Sequence, residues 1–220
     1  MAIVISLLAA GVSLLFGLSV LNQYRVTRQP YQLVWAGGLF LYFLATLSQG
    51  LVGGTEVNPT LYRLWYLAGA VMVAAYLGMG SLYLLAPRRT AHIIMVILGA
   101  ATLFALWRVF SAPVDLSQLV PNEPLTGKAF PSGLAGPRLL TPFFNIFGSL
   151  ALIGGALYSA LVYWRRRNMP HRVVSNILIA VGAFLPAAGG TFSRLGYSDA
   201  QYILQLLGIV IIYIGFRRSR

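Results

Sequence analysis

Seven stretches of this chain are apolar for long enough to cross a lipid bilayer. They run over about 2–22, 33–53, 62–86, 91–111, 139–163, 173–193 and 201–216. A spanning helix needs about 20 predominantly apolar residues. The runs are continuous rather than alternating, which selects helices over a β-barrel. The expected fold class is all-α: one polytopic membrane domain of seven transmembrane helices over 1–220. The first run lacks a basic leading region and a small-residue cleavage site, so it reads as a retained helix. The seventh is the shortest, and Tyr202 and Phe216 are expected at its two interfaces. Composition points the same way: 9% of residues are charged, against about 25% in soluble domains. The chain has no cysteine, which excludes disulfides, thiolate chemistry and iron–sulfur clusters.

The formal charge of +12 raises the question of nucleic acid, and its distribution answers it. Numbering the loops alternately places Arg25, Arg28, Arg88, Arg89, Arg165, Arg166, Arg167, Arg172, Arg217, Arg218 and Arg220 on one side, with no acid. The other side receives Arg63, Arg108, Lys128, Arg138 and Arg194, and every acid: Glu56, Asp115, Glu123 and Asp199. The positive-inside rule then predicts N-out and C-in. The dense run "YWRRRNMPHR" at 163–172 becomes a cytoplasmic loop whose arginines face anionic lipid headgroups. No DNA-reading module accompanies the basic residues, so nucleic acid is not an expected partner. The expected location is a cell membrane, multi-pass, of the bacterial inner-membrane type. The connections are short except for 112–138, a proline- and glycine-rich external segment that is either an ordered lid or a linker.

Helices 1–3 and 5–7 share a plan: helix, basic loop with proline, helix, short loop, helix. An offset of 140 aligns Arg25 with Arg165, Pro30 with Pro170, Gly50 with Gly190 and Tyr62 with Tyr202. Two three-helix units in one orientation need a linking helix, and helix 4 fits. This 3+1+3 parallel layout resembles that of the SWEET and PQ-loop transporters, in layout and not in motifs, so no site residue carries over. The segments "LYRLWYLAGAVMVAAYLGMGSLYLLAPRR" and "RLLTPFFNIFGSLALIGGALYSA" resemble uncharacterised bacterial seven-helix membrane proteins, which implies architecture and location but no activity. The one lysine, Lys128, lies in the outer loop, so a retinal Schiff base in helix 7 is excluded. His92 and His171 lie at the cytoplasmic edge in different loops, which argues against bis-histidine haem. No cofactor and no metal are expected.

Ionisable groups inside a membrane are costly and usually functional, and the spans hold no acid and no lysine. Proton relays and carboxylate chemistry lack their parts, and a serine nucleophile lacks a base, so no enzyme is expected. The remaining polar groups gather toward the outer half: Gln49, Arg63, Tyr66, Arg108, Asn145, Thr191, Arg194, Tyr202 and Gln205. If they converge, they form an outward-facing cup for an anionic or polyhydroxylated ligand. The competing reading has the arginines snorkelling, or pairing with Glu56 and Asp199, and the amides linking helices. Pro186, with Gly182, Gly189 and Gly190, marks a hinge or a kink in helix 6. Small residues at four-residue spacing (Ala9, Ser13, Gly17; Ala70, Ala74, Gly78; Ala151, Gly155, Ser159) favour close helix packing, with a face left for a homo-oligomer or a membrane complex. Three functions fit: a small-molecule transporter, a seven-helix receptor or sensor, and a non-catalytic accessory subunit of a membrane complex. The apparent repeat, the helix 6 proline and the cup favour transport.

Overall fold

The structure is a computed structural model that describes residues 1–52, 58–119, 123–133, 136–167 and 169–219, with the side chains of Arg194 and Ser198 outside the description. Seven helices are long and apolar enough to cross a membrane: α1 (Ala2–Thr27), α2 (Pro30–Val52), α3 (Pro59–Leu85), α4 (Arg88–Ser111), α5 (Pro137–Arg166), α6 (Pro170–Arg194) and α7 (Ser198–Arg218). No strand occurs among the described residues. The chain is an integral, multi-pass membrane protein.

The helices outrun the apolar stretches because proline sets their starts. Pro30, Pro59, Pro137 and Pro170 open α2, α3, α5 and α6. Proline suits a first turn, where its missing N–H has no intrahelical partner to lose. Asn58 caps α3, its side-chain oxygen accepting from the Leu61 N–H at 2.7 Å. At the opposite end, α1 and α5 both stop on a left-handed arginine, Arg28 (φ 54°) and Arg167 (φ 52°). That conformation costs a residue with a Cβ about 1–2 kcal/mol. The exposed last carbonyls, with their partial negative charge, favour a cation there.

Successive helices alternate in direction, so the arginine-rich connections share one end of the bundle, the arginine end. The long segment after α4 lies at the other, the loop end. Six helices form a closed ring, α1–α2–α3–α5–α6–α7, with α7 returning to α1. α4 stands outside it against α3, and its apolar window is only 17% buried, against 56% for α3. Exposed Ile93, Val96, Ile97 and Leu103 face outward from it, as expected of a helix against lipid. Three polar contacts hang α4 on α3: Tyr83 to His92 (2.9 Å), Tyr76 to Thr102 (3.1 Å), and Arg63 to the end of α4. In the ring, α3–α5 and α7–α1 are the two parallel seams and every other pair is antiparallel. This neighbour order is the one a two-fold axis carrying α1–α3 onto α5–α7 requires, with α4 as the linker. The halves still differ locally, since π-helical turns interrupt α3 at Tyr66–Met72 and α5 at Leu150–Gly154, while α1 and α7 carry none.

Glycines set the closest approaches. A Cβ on Gly148 would lie 2.2 Å from the Ala74 backbone carbon, and one on Gly78 would lie 2.6 Å from the Gly148 oxygen, so α3 and α5 touch backbone to backbone. Gly182 and Gly208 stand in the same mutual relation between α6 and α7. Lipid gives apolar helices no hydrophobic drive to associate, so such close van der Waals contact carries the packing.

Candidate functional site

A cavity of about 600 Å³ opens at the loop end and runs down the middle of the ring. Its volume is in the range of small-molecule sites, about 300–1,000 Å³. α2, α3, α5, α6 and α7 all contribute to its wall, and Leu125, Thr126 and Gly127 of the long segment reach its mouth. The wall changes with depth. Near the mouth it presents Gln49, Arg138, Thr141, Thr191, Ser193 and Gln201; at the floor it presents Val73, Leu77, Leu152 and Ile212. Leu77 lies 18 residues into α3, about 27 Å along an axis that rises 1.5 Å per residue.

The sequence-derived candidates separate into three groups. Gln49, Tyr66, Asn145, Thr191 and Gln205 line the cavity. Tyr202 is buried beside Gln49. Arg63 points elsewhere: its Nε donates to the Val109 carbonyl at 3.2 Å and its Nη2 to the Ala112 carbonyl at 2.9 Å. It therefore caps the C-terminus of α4, whose last carbonyls have no helical donors. Arg108 sits on peripheral α4, away from the cavity wall. The Arg194 side chain and Glu56 lie outside the described residues. Of the three arginines placed in the cup, Arg63 and Arg108 lie off the described cavity wall, and the Arg194 side chain is outside the description. Among the described residues the arginine at the mouth is Arg138, from the turn that starts α5. Sequence reasoning counted Arg138 with the loop charges. Its signal was its place, immediately before the apolar run of α5.

Local hydrogen bonds explain how the wall is held. Asn145 Nδ2 donates to the Ala70 carbonyl at 3.0 Å. Ala70 lies in the π-helical turn of α3, where the ordinary i→i−4 ladder is interrupted. The Tyr66 hydroxyl meets Thr141 Oγ1 at 2.7 Å, tying α3 to α5 at the mouth. The Tyr42 hydroxyl donates to the Gln205 carbonyl at 2.8 Å, tying α2 to α7. Gln49 is different. It is 4% exposed, and among the described residues its Nε2 makes no hydrogen bond of ordinary geometry, with the Tyr202 hydroxyl beside it. A buried donor left unmatched costs about 1–3 kcal/mol.

Pro186 lies in the wall within α6. Without an N–H it leaves the Gly182 carbonyl undonated, and Gly208 of α7 packs against that oxygen and the proline ring. The α6 helix continues through this position. Three wall helices are thus interrupted: α3 and α5 by π-helical turns, α6 by proline.

The segment after α4 is ordered over its described part. Tyr62 donates its hydroxyl to the Thr126 carbonyl at 2.7 Å. Phe130 packs its ring 5.1 Å from Tyr62 and 4.8 Å from Tyr66. Gly127 lies so close to Tyr66 that a Cβ there would be 2.9 Å from its ring. Of the two readings of this segment, lid or linker, the described part behaves as a partial lid. A turn at its start is held by Asp115, which accepts from Ser117 Oγ at 2.6 Å and Gln118 Nε2 at 3.1 Å. These bonds, with that from the Ser117 N–H, hold its carboxyl below the usual carboxylate range.

At the arginine end the ring is closed. Trp35 fits into the notch left by Gly80 and donates its indole N–H to the Leu77 carbonyl at 3.0 Å. Phe16 packs on Tyr213 and Phe216 at 4.9 and 5.0 Å. Leu39, Leu77, Leu152 and Ile209 join one buried cluster at the cavity floor. The geometry is a one-ended vestibule, polar above and apolar below. No family model matches the chain, and no curated protein or solved structure matches it either, so its reading rests on the chemistry of this vestibule.

Proposed function

We propose that the protein is a small-molecule transporter of a bacterial cell membrane, with the loop end outside and the arginine end in the cytoplasm. The observation that carries this reading is the vestibule itself: a central, partly polar cavity that enters from one end and stops on a packed apolar plug. Binding and passage, not catalysis, are the chemistry its amides, hydroxyls and the Arg138 guanidinium serve. The interruptions in α3, α5 and α6 support movement, because π-helical turns and an internal proline are where helices bend with least loss. All three lie within about 25 Å of the loop end, at 1.5 Å per residue. The two parallel seams, α3–α5 and α7–α1, are where two half-bundles rock against each other. The eleven arginines at one end support the orientation.

The absence of cysteine makes the test direct. Single cysteines at Ser149 and Thr46 report on the vestibule, and one at Tyr213 reports on the plug. With an impermeant maleimide, Ser149→Cys and Thr46→Cys are expected to label from outside. Tyr213→Cys is expected to label from the cytoplasm only in a fraction of molecules that rises as solute is transported. A Tyr213→Cys chain that stays unlabelled under every condition sinks transport and leaves a receptor or accessory subunit with a fixed cup.

A further inference from the structure

Resting on the reading of the vestibule as a ligand site, we propose that its ligand is a small amphiphilic carboxylate, held with its anionic head at the mouth and its apolar body toward the floor. Three independent features of the wall converge on this class. The first is charge. Arg138 is the one charged residue among the described residues that line the cavity. A cationic ligand meets that guanidinium with no carboxylate among the described lining residues to offset it. An anion meets a planar donor fork suited to two carboxylate oxygens.

The second feature is the hydrogen-bond inventory. Asn145 Nδ2 is committed to the Ala70 carbonyl, and Tyr66 and Thr141 are committed to each other. Gln49 Nε2 is buried on the cavity wall with the Tyr202 hydroxyl beside it, and among the described residues it makes no hydrogen bond of ordinary geometry. A ligand oxygen at the mouth supplies it a well-placed acceptor. Gln49 lies three residues before the end of α2 and Arg138 one residue into the turn that starts α5. The free donor and the cation therefore occupy the same level of the bundle, near the mouth.

The third feature is the floor. The wall stays polar past Thr46, Asn145, Ser149 and Gln205, and only below them does it become Val73, Leu77, Leu152 and Ile212. A ligand polar throughout would lose its hydration there without replacement. One with a hydrocarbon body exchanges water for apolar contact. Head and body thus match the wall only when they sit in this order.

The test uses the full chain in nanodiscs of zwitterionic lipid, with empty nanodiscs subtracted. Hexanoate, hexan-1-ol, hexylamine, acetate and glucose are compared by equilibrium dialysis. Hexanoate is expected to bind about tenfold or more tighter than the alcohol, the amine and acetate, a step of about 1.4 kcal/mol. Arg138→Gln should reduce the preference for hexanoate over hexanol to about twofold while hexanol binding stays the same. Gln49→Leu should weaken hexanoate about fivefold or more, with melting temperature confirming the fold. Tighter binding of hexylamine or glucose overturns the carboxylate assignment but leaves a ligand site in place. So does a hexanoate preference that survives Arg138→Gln. Failure of all five probes also overturns it, whereas the transport reading stands or falls on the cysteine labelling.

Discussion

The two ends of the bundle are built from the same kinds of helix and finished in opposite ways. At the loop end, polar side chains meet across the seams: Tyr66 with Thr141, Asn145 with the Ala70 carbonyl, Tyr62 with the Thr126 carbonyl. At the arginine end bulky rings fill the seams, Trp35 in the Gly80 notch and Phe16 on Tyr213 and Phe216, with Ser19–Tyr213 and Trp35–Leu77 hydrogen bonds among them. Hydrogen bonds fix separations between helices and leave other polar valences to be filled, so the loop end stays hollow. Apolar packing gains with every contact and stops only at close packing, so the arginine end shuts. The lesson is that a cavity in a membrane bundle is held open by directional contacts above and closed by non-directional ones below.

The largest expected effect comes from the backbone contact that both ends share. Gly148→Val places a branched side chain where a Cβ already meets the Ala74 backbone at 2.2 Å, and a backbone cannot step aside. Overpacking of this kind costs about 1–3 kcal/mol or more. The melting temperature in detergent should fall by roughly 6–12 °C for a loss of 3 kcal/mol in a chain of this size. Both ends should loosen together, because the seam runs through both. An unchanged melting temperature would show that α3 and α5 are not in contact there.

Opening only the plug sharpens the comparison. Trp35→Ala removes the indole that fills the Gly80 notch and its bond to the Leu77 carbonyl. Losses for deleting a buried aromatic are about 3–5 kcal/mol, and Trp35 is only partly buried, so roughly 2 kcal/mol is expected. In that background Tyr213→Cys should label from the arginine end without any solute. Unchanged labelling would mean that another layer closes the floor.

A smaller effect is expected where the loop end holds the peripheral helix. Arg63→Gln withdraws a charged donor from the Val109 and Ala112 carbonyls. Hydrogen bonds to charged groups contribute about 1.5–3 kcal/mol, exposed ones less, so a loss of about 1 kcal/mol is expected. It should be seen as faster amide exchange in the last turn of α4, with hexanoate binding unaltered. Weakened binding with intact exchange would return Arg63 to the ligand site.

The smallest effect is the turn that begins the lid. The Asp115 carboxyl is held below its ordinary range by hydrogen bonds that its charged form accepts. Its contribution is therefore fully present above the unfolded-state pKa, about 3.9, and is lost as pH falls through the lower folded value. Residues 115–118 should gain exchange only in that acidic window, and Asp115→Asn should abolish the dependence. A midpoint above the ordinary carboxylate range would contradict the assignment.

What the sequence by itself determined was everything local to one segment. About 20 apolar residues in lipid must satisfy their own backbone, and only a helix does so within one segment. The seven helices and their alternation follow from that rule, and the alternation collects the arginine-rich connections at one end. Gln49, Tyr66, Asn145, Thr191 and Gln205 were legible as candidates because a polar residue in such a run stands out against its neighbours.

What only the tertiary structure decided was direction and partnership. Arg63 and Arg138 are both arginines near the loop end, yet one caps α4 and the other faces the vestibule. Nothing in either local sequence distinguishes them, because the difference lies in which neighbour each helix face meets. The π-helical turns of α3 and α5, the exclusion of α4 from the ring and the seating of Phe130 between Tyr62 and Tyr66 have the same origin. The same packing brings glycines of distant segments, Gly78 with Gly148 and Gly182 with Gly208, into backbone contact. Helix rotation and ring order are set by that contact, and lipid, as apolar as the helix surfaces themselves, leaves short-range packing to choose among the arrangements.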